Sequence, residues 1–173
     1  MSASPGDAQP VFDLIVEQAE AVCGADAAGL LEFDGTQVHV RSVRGKDRIA
    51  VDAYRASFPR PISGDSVVSR AMLEAKIVHL NNAANDTELS PQARGITGNA
   101  SLGVPIIRDG VVVGGMGMTT TNPNGFSEGQ IALLDTFAGQ AAIAIASAET
   151  FRTLQERTRE LSKSLDDGAL TRH

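Results

Sequence analysis

The chain has 173 residues, 42% of them hydrophobic and 21% charged, which suits one domain with an appendage and excludes both two full domains and a disordered chain. Fifteen basic residues against twenty-one acidic ones leave a formal net charge of −6, so a grip on nucleic acid would need a local basic patch. Cys23 is the sole cysteine, which excludes an internal disulfide and a cysteine-based zinc site within one chain; with no leader pattern and no eighteen apolar residues in succession, a soluble, unexported, cytoplasmic segment without membrane contact is expected.

Residues 1–10, small and polar around Pro5 and Gly6, read as a flexible arm. Phe12, Ile15, Ala19 and Val22 then recur at spacings of three and four, the stripe of an amphipathic helix that Gly24 stops just after Cys23. Residues 27–33 and 37–43 flank Asp34-Gly35-Thr36, an antiparallel hairpin with a strong turn signal. A helix over 47–57 ends before Pro59 and Pro61. Ser63 and Asp65 offer capping oxygens to another helix reaching Glu74. Ile77–Leu80 reads as a strand, and 81–98 as a polar loop or short-helix region of the kind that forms binding lids. Residues 101–107 and 111–121 make a second hairpin across Arg108-Asp109-Gly110, with Pro105 placing its strand at an edge or bulge. Ser127 and Gln130 form a capping box for a last helix from Glu128 to about Leu165. The order predicts an α+β fold, an antiparallel sheet covered by helices.

Candidate chemistry is sparse. Arg41, Arg44, Lys46 and Arg48 lack aromatic interleaving and read as a solvated strand end, so no nucleic-acid partner is expected. His39 alternates with valines on a strand and His79 ends one; both read as solvated or hydrogen-bonded rather than as haem ligands. Gly114, Gly115 and Gly117 lie in a strand pattern with no phosphate-loop Lys following, and read as close packing. Asp65, Glu74, Asp86 and Glu88 show no paired-carboxylate motif, and no serine sits in a nucleophile elbow. No catalytic residue, metal or cofactor is expected, and the chain should be colourless. The sequons at Asn85 and Asn99 read as chance.

Several segments in order carry a resemblance: Cys23-Gly24-Ala25-Asp26-Ala27-Ala28, Phe58-Pro59-Arg60-Pro61-Ile62, Ile77-Val78-His79-Leu80, Leu102-Gly103-Val104-Pro105-Ile106, Phe126-Ser127-Glu128, and Leu134-Asp135-Thr136-Phe137-Ala138-Gly139-Gln140-Ala141. Over residues 11–165 the chain resembles the GAF family, in particular the modules placed before histidine kinase or nucleotide cyclase domains in bacterial signalling proteins. The resemblance implies a GAF-like central antiparallel sheet, with Ile15, Ala19 and Val22 meeting Leu134, Ala138, Ala141 and Ile145 on one face. It implies a pocket between the other face and residues 47–98, where Phe33, Tyr54, Phe58, Asn81, Asn82 and Asn99 would meet an unidentified small molecule. The chain departs from the family where Asn81 and Asn82 replace a common Asp, and it lacks the Asn-Lys-Phe-Asp-Arg-type motif of cyclic-nucleotide relatives. Cys23 lies at a corner away from the pocket, which argues against attached bilin and against the reactive-cysteine chemistry of the GAF-fold methionine sulfoxide reductases.

The expected organisation is an arm at 1–10, a sensory domain at 11–148, and a signalling helix with tail at 149–173. Within the last helix, Ser147, Phe151, Leu154, Thr158, Leu161 and Leu165 continue at three-four spacing where no sheet remains to cover them. A parallel homodimer held by Phe151, Leu154, Thr158, Leu161 and Leu165 follows, with a downstream signalling domain in the parent chain. The function expected is a regulatory sensory and dimerisation module of a sensor histidine kinase; the alternatives are a structural dimerisation spacer without ligand and the GAF module of a nucleotide cyclase.

Overall fold

A computed structural model describes residues 8–96 and 98–171; residues 1–7 of the expected arm and the terminal His173 lie outside the described residues. Helix α1 (Gln9–Cys23) carries Pro10 in its first turn, where a missing N–H is harmless, and ends at Gly24, which takes the left-handed cap at φ 62°. Its buried stripe is Phe12, Ile15, Val16, Ala19 and Cys23. Val22, expected on that stripe, is 59% exposed: three-four spacing from Ala19 admits both 22 and 23, and the small apolar cysteine takes the inner position.

Strands β1 (Ala27–Phe33) and β2 (Gln37–Gly45) form the first hairpin. Helix α2 (Arg48–Ala56) is capped by Asp47, whose carboxylate accepts from the Ala50 amide at 3.1 Å. After the short β3 (Arg60–Pro61) comes α3 (Val67–Glu74), whose cap is Ser66, accepting from the Ser69 amide at 3.2 Å. The oxygens of Ser63 and Asp65, expected to cap it, stand too early by one residue or more. β4 (Val78–Asn81) begins after the exposed Ile77, a 3-10 turn spans Ala83–Asn85, and α4 (Pro91–Ile96) follows. β5 (Ala100–Arg108) and β6 (Val111–Thr120) form the second hairpin. Asp109 and Gly110 have φ of 51° and 78°, the two left-handed residues that a type I′ turn demands.

The six strands are all antiparallel in the order β3-β2-β1-β6-β5-β4. β4 pairs with β5 only as far as Gly103, so Pro105 has a strand neighbour on the β6 side alone, the edge position that its ring favours. Helix α5 (Glu128–Thr171) packs with α1 on one face over Leu30, Leu102, Val104, Ile106, Met116 and Met118, burying Leu134, Ala138, Ala141 and Ile145. The capping box is present: Gln130 Oε1 accepts from the Ser127 amide at 2.8 Å, and Ser127 Oγ accepts from the Gln130 amide at 3.2 Å. Gln130 Nε2 also donates to the Cys23 carbonyl at 2.8 Å, joining the end of α1 to the start of α5. One stretch of α5 is long and apolar enough to cross a membrane, but its inner side is the core of this domain. From Arg152 to Asp167 every residue is exposed.

Candidate functional site

The opposite face of the sheet is covered by α2, α3 and the segment from β4 to α4. Glycines let α3 lie against it: a Cβ on Gly103 would come within 2.8 Å of the Val67 carbonyl oxygen, and one on Gly117 within 2.2 Å of Val68 Cγ2. The glycines of β6 are thus packing positions, as their strand setting suggested. Beneath this cover is a cavity of about 40 Å³, whose lining includes the largely apolar Gly29, Leu31, Tyr54, Val67, Ala93 and Met118 and the hydroxyl-bearing Ser66, Ser101 and Thr119. That volume admits about two or three waters; pockets that enclose a small organic ligand are usually about 300 Å³ or more. The Tyr54 hydroxyl sits among Ser66, Arg60 and Asp65, and burial pushes it up to about 12.

The cover is held by polar contacts as well as by the apolar Ala83, Leu89 and Ala93. Arg70 on α3 grips Asp86 with both terminal nitrogens, at 2.8 and 2.9 Å, and its Nε donates to the Gly64 carbonyl at 2.8 Å. This fork holds the Asp86 carboxyl down to about 2. The Ser90 amide donates to the Asp65 carbonyl at 2.8 Å.

The six residues expected at a ligand site separate into two groups. Tyr54 lines the cavity and packs edge-on against Phe58 with ring centroids 5.1 Å apart. Phe58 carries the Arg60 guanidinium 4.3 Å from its centroid, and it shares an apolar cluster with Phe33, Leu31 and Met72. Asn81, Asn82 and Asn99 gather instead at the end of β4, where Asn99 accepts through its carbonyl from the Ala83 amide and donates to the Asn122 carbonyl at 3.1 Å. None of the three lines the cavity.

His39 and His79 each have a hydrogen-bond partner. His39 Nε2 is 2.8 Å from Asp34 Oδ2, and that carboxyl also accepts from the amides of Thr36 and Gln37, which lowers it far below the usual range. His79 Nε2 accepts from the Phe126 amide at 3.3 Å. Cys23 is buried on the helix face, across the sheet from the cavity, and burial raises its thiol. Among the described residues, those that line the cavity include no carboxylate, imidazole or thiol, and no three metal-ligating side chains converge. The cavity's hydroxyls can orient a small uncharged guest but form no nucleophile–base pair.

The basic cluster of β2 was not legible as what it is: Arg41 lies 2.8 Å from Glu32, Arg44 3.4 Å from Glu20 and Lys46 2.7 Å from Asp26. Glu32, whose side chain is 7% exposed, drew no attention in the sequence because its partners are remote.

Residues 7–146 match the family model described as GAF domain. Solved structures with the same fold include the GAF domain of a phosphoenolpyruvate-protein phosphotransferase from Coxiella burnetii, 20% identical at a TM-score of 0.71, covering 87% of this chain and 89% of that one. The GAF-B domain of DevS from Mycobacterium smegmatis is 22% identical at 0.65, covering 86% and 99%. The free methionine-R-sulfoxide reductase from Neisseria meningitidis, solved with its substrate, is 13% identical at 0.66, covering 85% and 83%. Among curated proteins none matches the sequence.

Proposed function

The chain belongs to the GAF domain family, and on that premise we propose that it is a regulatory sensory and dimerisation module of a bacterial signalling protein, of the sensor histidine kinase type. The observation that carries this reading is the free half of α5. Leu154, Leu161 and Leu165 are 55%, 66% and 73% exposed, in one stripe with Phe151 and Thr158. Each large side chain left in water forgoes about 1.5–3 kcal/mol of burial, which a parallel second copy of the helix recovers. Val11 and Leu14 of α1 and Ile143 of α5 extend this exposed apolar surface along the domain body. A zipper that continues into an output domain passes on changes in helix geometry.

The test is mass by light scattering. Cutting the chain after Ala148, or combining Leu154→Asp with Leu161→Asp, should convert a dimer to a folded monomer. An unchanged dimer moves the interface to α1 and the body, and a wild-type monomer at micromolar concentration defeats the proposal.

The small cavity favours a second reading, a dimerisation spacer whose pocket is filled by its own side chains. Native mass spectrometry of freshly purified protein separates the two, since a retained small molecule requires the cover to open. An enzymatic role of the sulfoxide reductase kind finds no support in a cavity without a thiol.

A further inference from the structure

Strand β1 has the cavity on one side and the signalling helix on the other. Gly29 and Leu31 line the cavity, while Leu30 between them, fully buried, belongs to the core beneath α1 and α5. Alternation therefore turns Glu32, the residue after Leu31, toward the helices. There its nearly buried carboxylate is held between two arginines from different elements. Arg41 comes from a β-bulge: Leu30 pairs with Ser42 and Leu31 with Val40, leaving Arg41 as the extra residue. Bulges re-aim side chains, and this one brings Arg41 Nε to donate to Glu32 Oε1 at 2.8 Å. Arg152 of α5 places Nη2 3.7 Å from Oε2.

Around this carboxylate the elements are tied together. Gln9 of α1 donates to the Arg41 carbonyl, and Ser42 Oγ donates to Asp13 at 2.7 Å. One turn earlier on α5, Glu149 accepts from Arg108 at 3.3 Å. Glu32–Arg152 is the last ion pair that α5 makes with the body among the described residues, and beyond it the helix is bare.

We propose that Glu32 is a positioning residue that ties the setting of β1 to the direction in which α5 leaves the domain. It rests on the reading that α5 carries the signal. Arg41 keeps the carboxylate compensated while Arg152 is the partner that reaches it from α5, so a shift of β1 that moves Glu32 biases Arg152 to follow with the modest strength of a half-exposed ion pair. Strain applied at the cavity wall through Gly29 or Leu31 thus reaches the root of the free helix through one side chain, an element whose equilibrium both sites can bias.

The experiment uses the full chain with Cys23→Ala and nitroxide labels at Thr36→Cys and Glu160→Cys, both exposed positions, diluted with unlabelled chain so that only intrachain distances are read by pulsed electron resonance. Gly29→Val strains the cavity wall, because a Cβ there already meets the Ser42 carbonyl oxygen at 3.5 Å and Val43 Cγ2 at 3.6 Å and the two further methyl groups must displace them. It should shift the distance in the wild-type background and leave it unchanged in Glu32→Gln and in Arg152→Gln. Amide exchange over residues 147–153 should rise about two- to fivefold in either variant and no further in the pair, the range a single ion pair supports. The same Gly29→Val shift in all three backgrounds, no shift in the wild type, or additive exchange overturns the proposal. Arg152 is exposed, so Arg152→Gln decides the matter even where Glu32→Gln fails to fold. A monomeric chain by light scattering would count against the signalling module while leaving this intrachain result to stand or fall separately.

Discussion

The two faces of one sheet are built on different terms. Against α1 and α5 lies a single core in which Val16, Leu30, Leu102, Val104, Ile106, Met116, Leu134 and Ile145 have at most 1% exposure. Against α2, α3 and α4 lie two smaller clusters, a small cavity, a glycine-lined seat for α3 and a cover held by side-chain forks. Close packing resists deformation, whereas a cover resting on fewer apolar contacts can open without unfolding the rest. That asymmetry makes the cover the side of the sheet that yields first.

Paired truncations give the largest test of it. Leu134→Ala on the helix face should lower global stability by about 2–5 kcal/mol in denaturant unfolding. Leu89→Ala, equally buried but in the cover, should chiefly raise amide exchange over 83–96 and cost less globally; equal global losses would erase the distinction. A smaller effect is expected from Asp86→Asn, which removes the fork to Arg70 and should speed exchange in the same segment with the helix face unchanged. The sign of its acid dependence follows from the lowered carboxyl. The contribution is complete above the ordinary carboxylate range near 4 and is lost as pH falls through about 2, so the cover should loosen in that window in the parent chain and show no such step in the variant. The smallest signal is spectroscopic. Tyr54 is the single tyrosine of a chain without tryptophan, and its raised group should keep tyrosinate absorption from appearing until about pH 12. Because the folded state holds that proton more tightly, stability should fall between the ordinary value near 10 and about 12; ionisation near 10 in the folded protein would mean that Tyr54 is open to water.

Features set by neighbours in the chain were legible. The Asp-Gly turns, the capping box at Ser127 and Gln130, and the inner stripe of α5 all act over a few residues and appear where expected. Features set by distant partners were not. A bulge leaves no mark in an alternating pattern, so Arg41 looked like one of four solvated cations when it is aimed at Glu32. The Arg70–Asp86 fork joins residues sixteen apart that no local rule pairs. Of the expected ligand residues, the aromatic ones fell near the cavity because apolar burial drew them there, while the asparagines were taken by turn and backbone contacts at the end of the sheet.

On the proposal that α5 carries the signal, its bare portion is a lever with its fulcrum at Arg152. From there to Thr171 the helix is roughly 28 Å long at about 1.5 Å per residue. A tilt of about 10° at the fulcrum would carry its tip roughly 5 Å sideways, close to one helical pitch of about 5.4 Å. Movements inside the domain too small to disturb its packing would therefore arrive at the far end as displacements large enough to change which side chains meet.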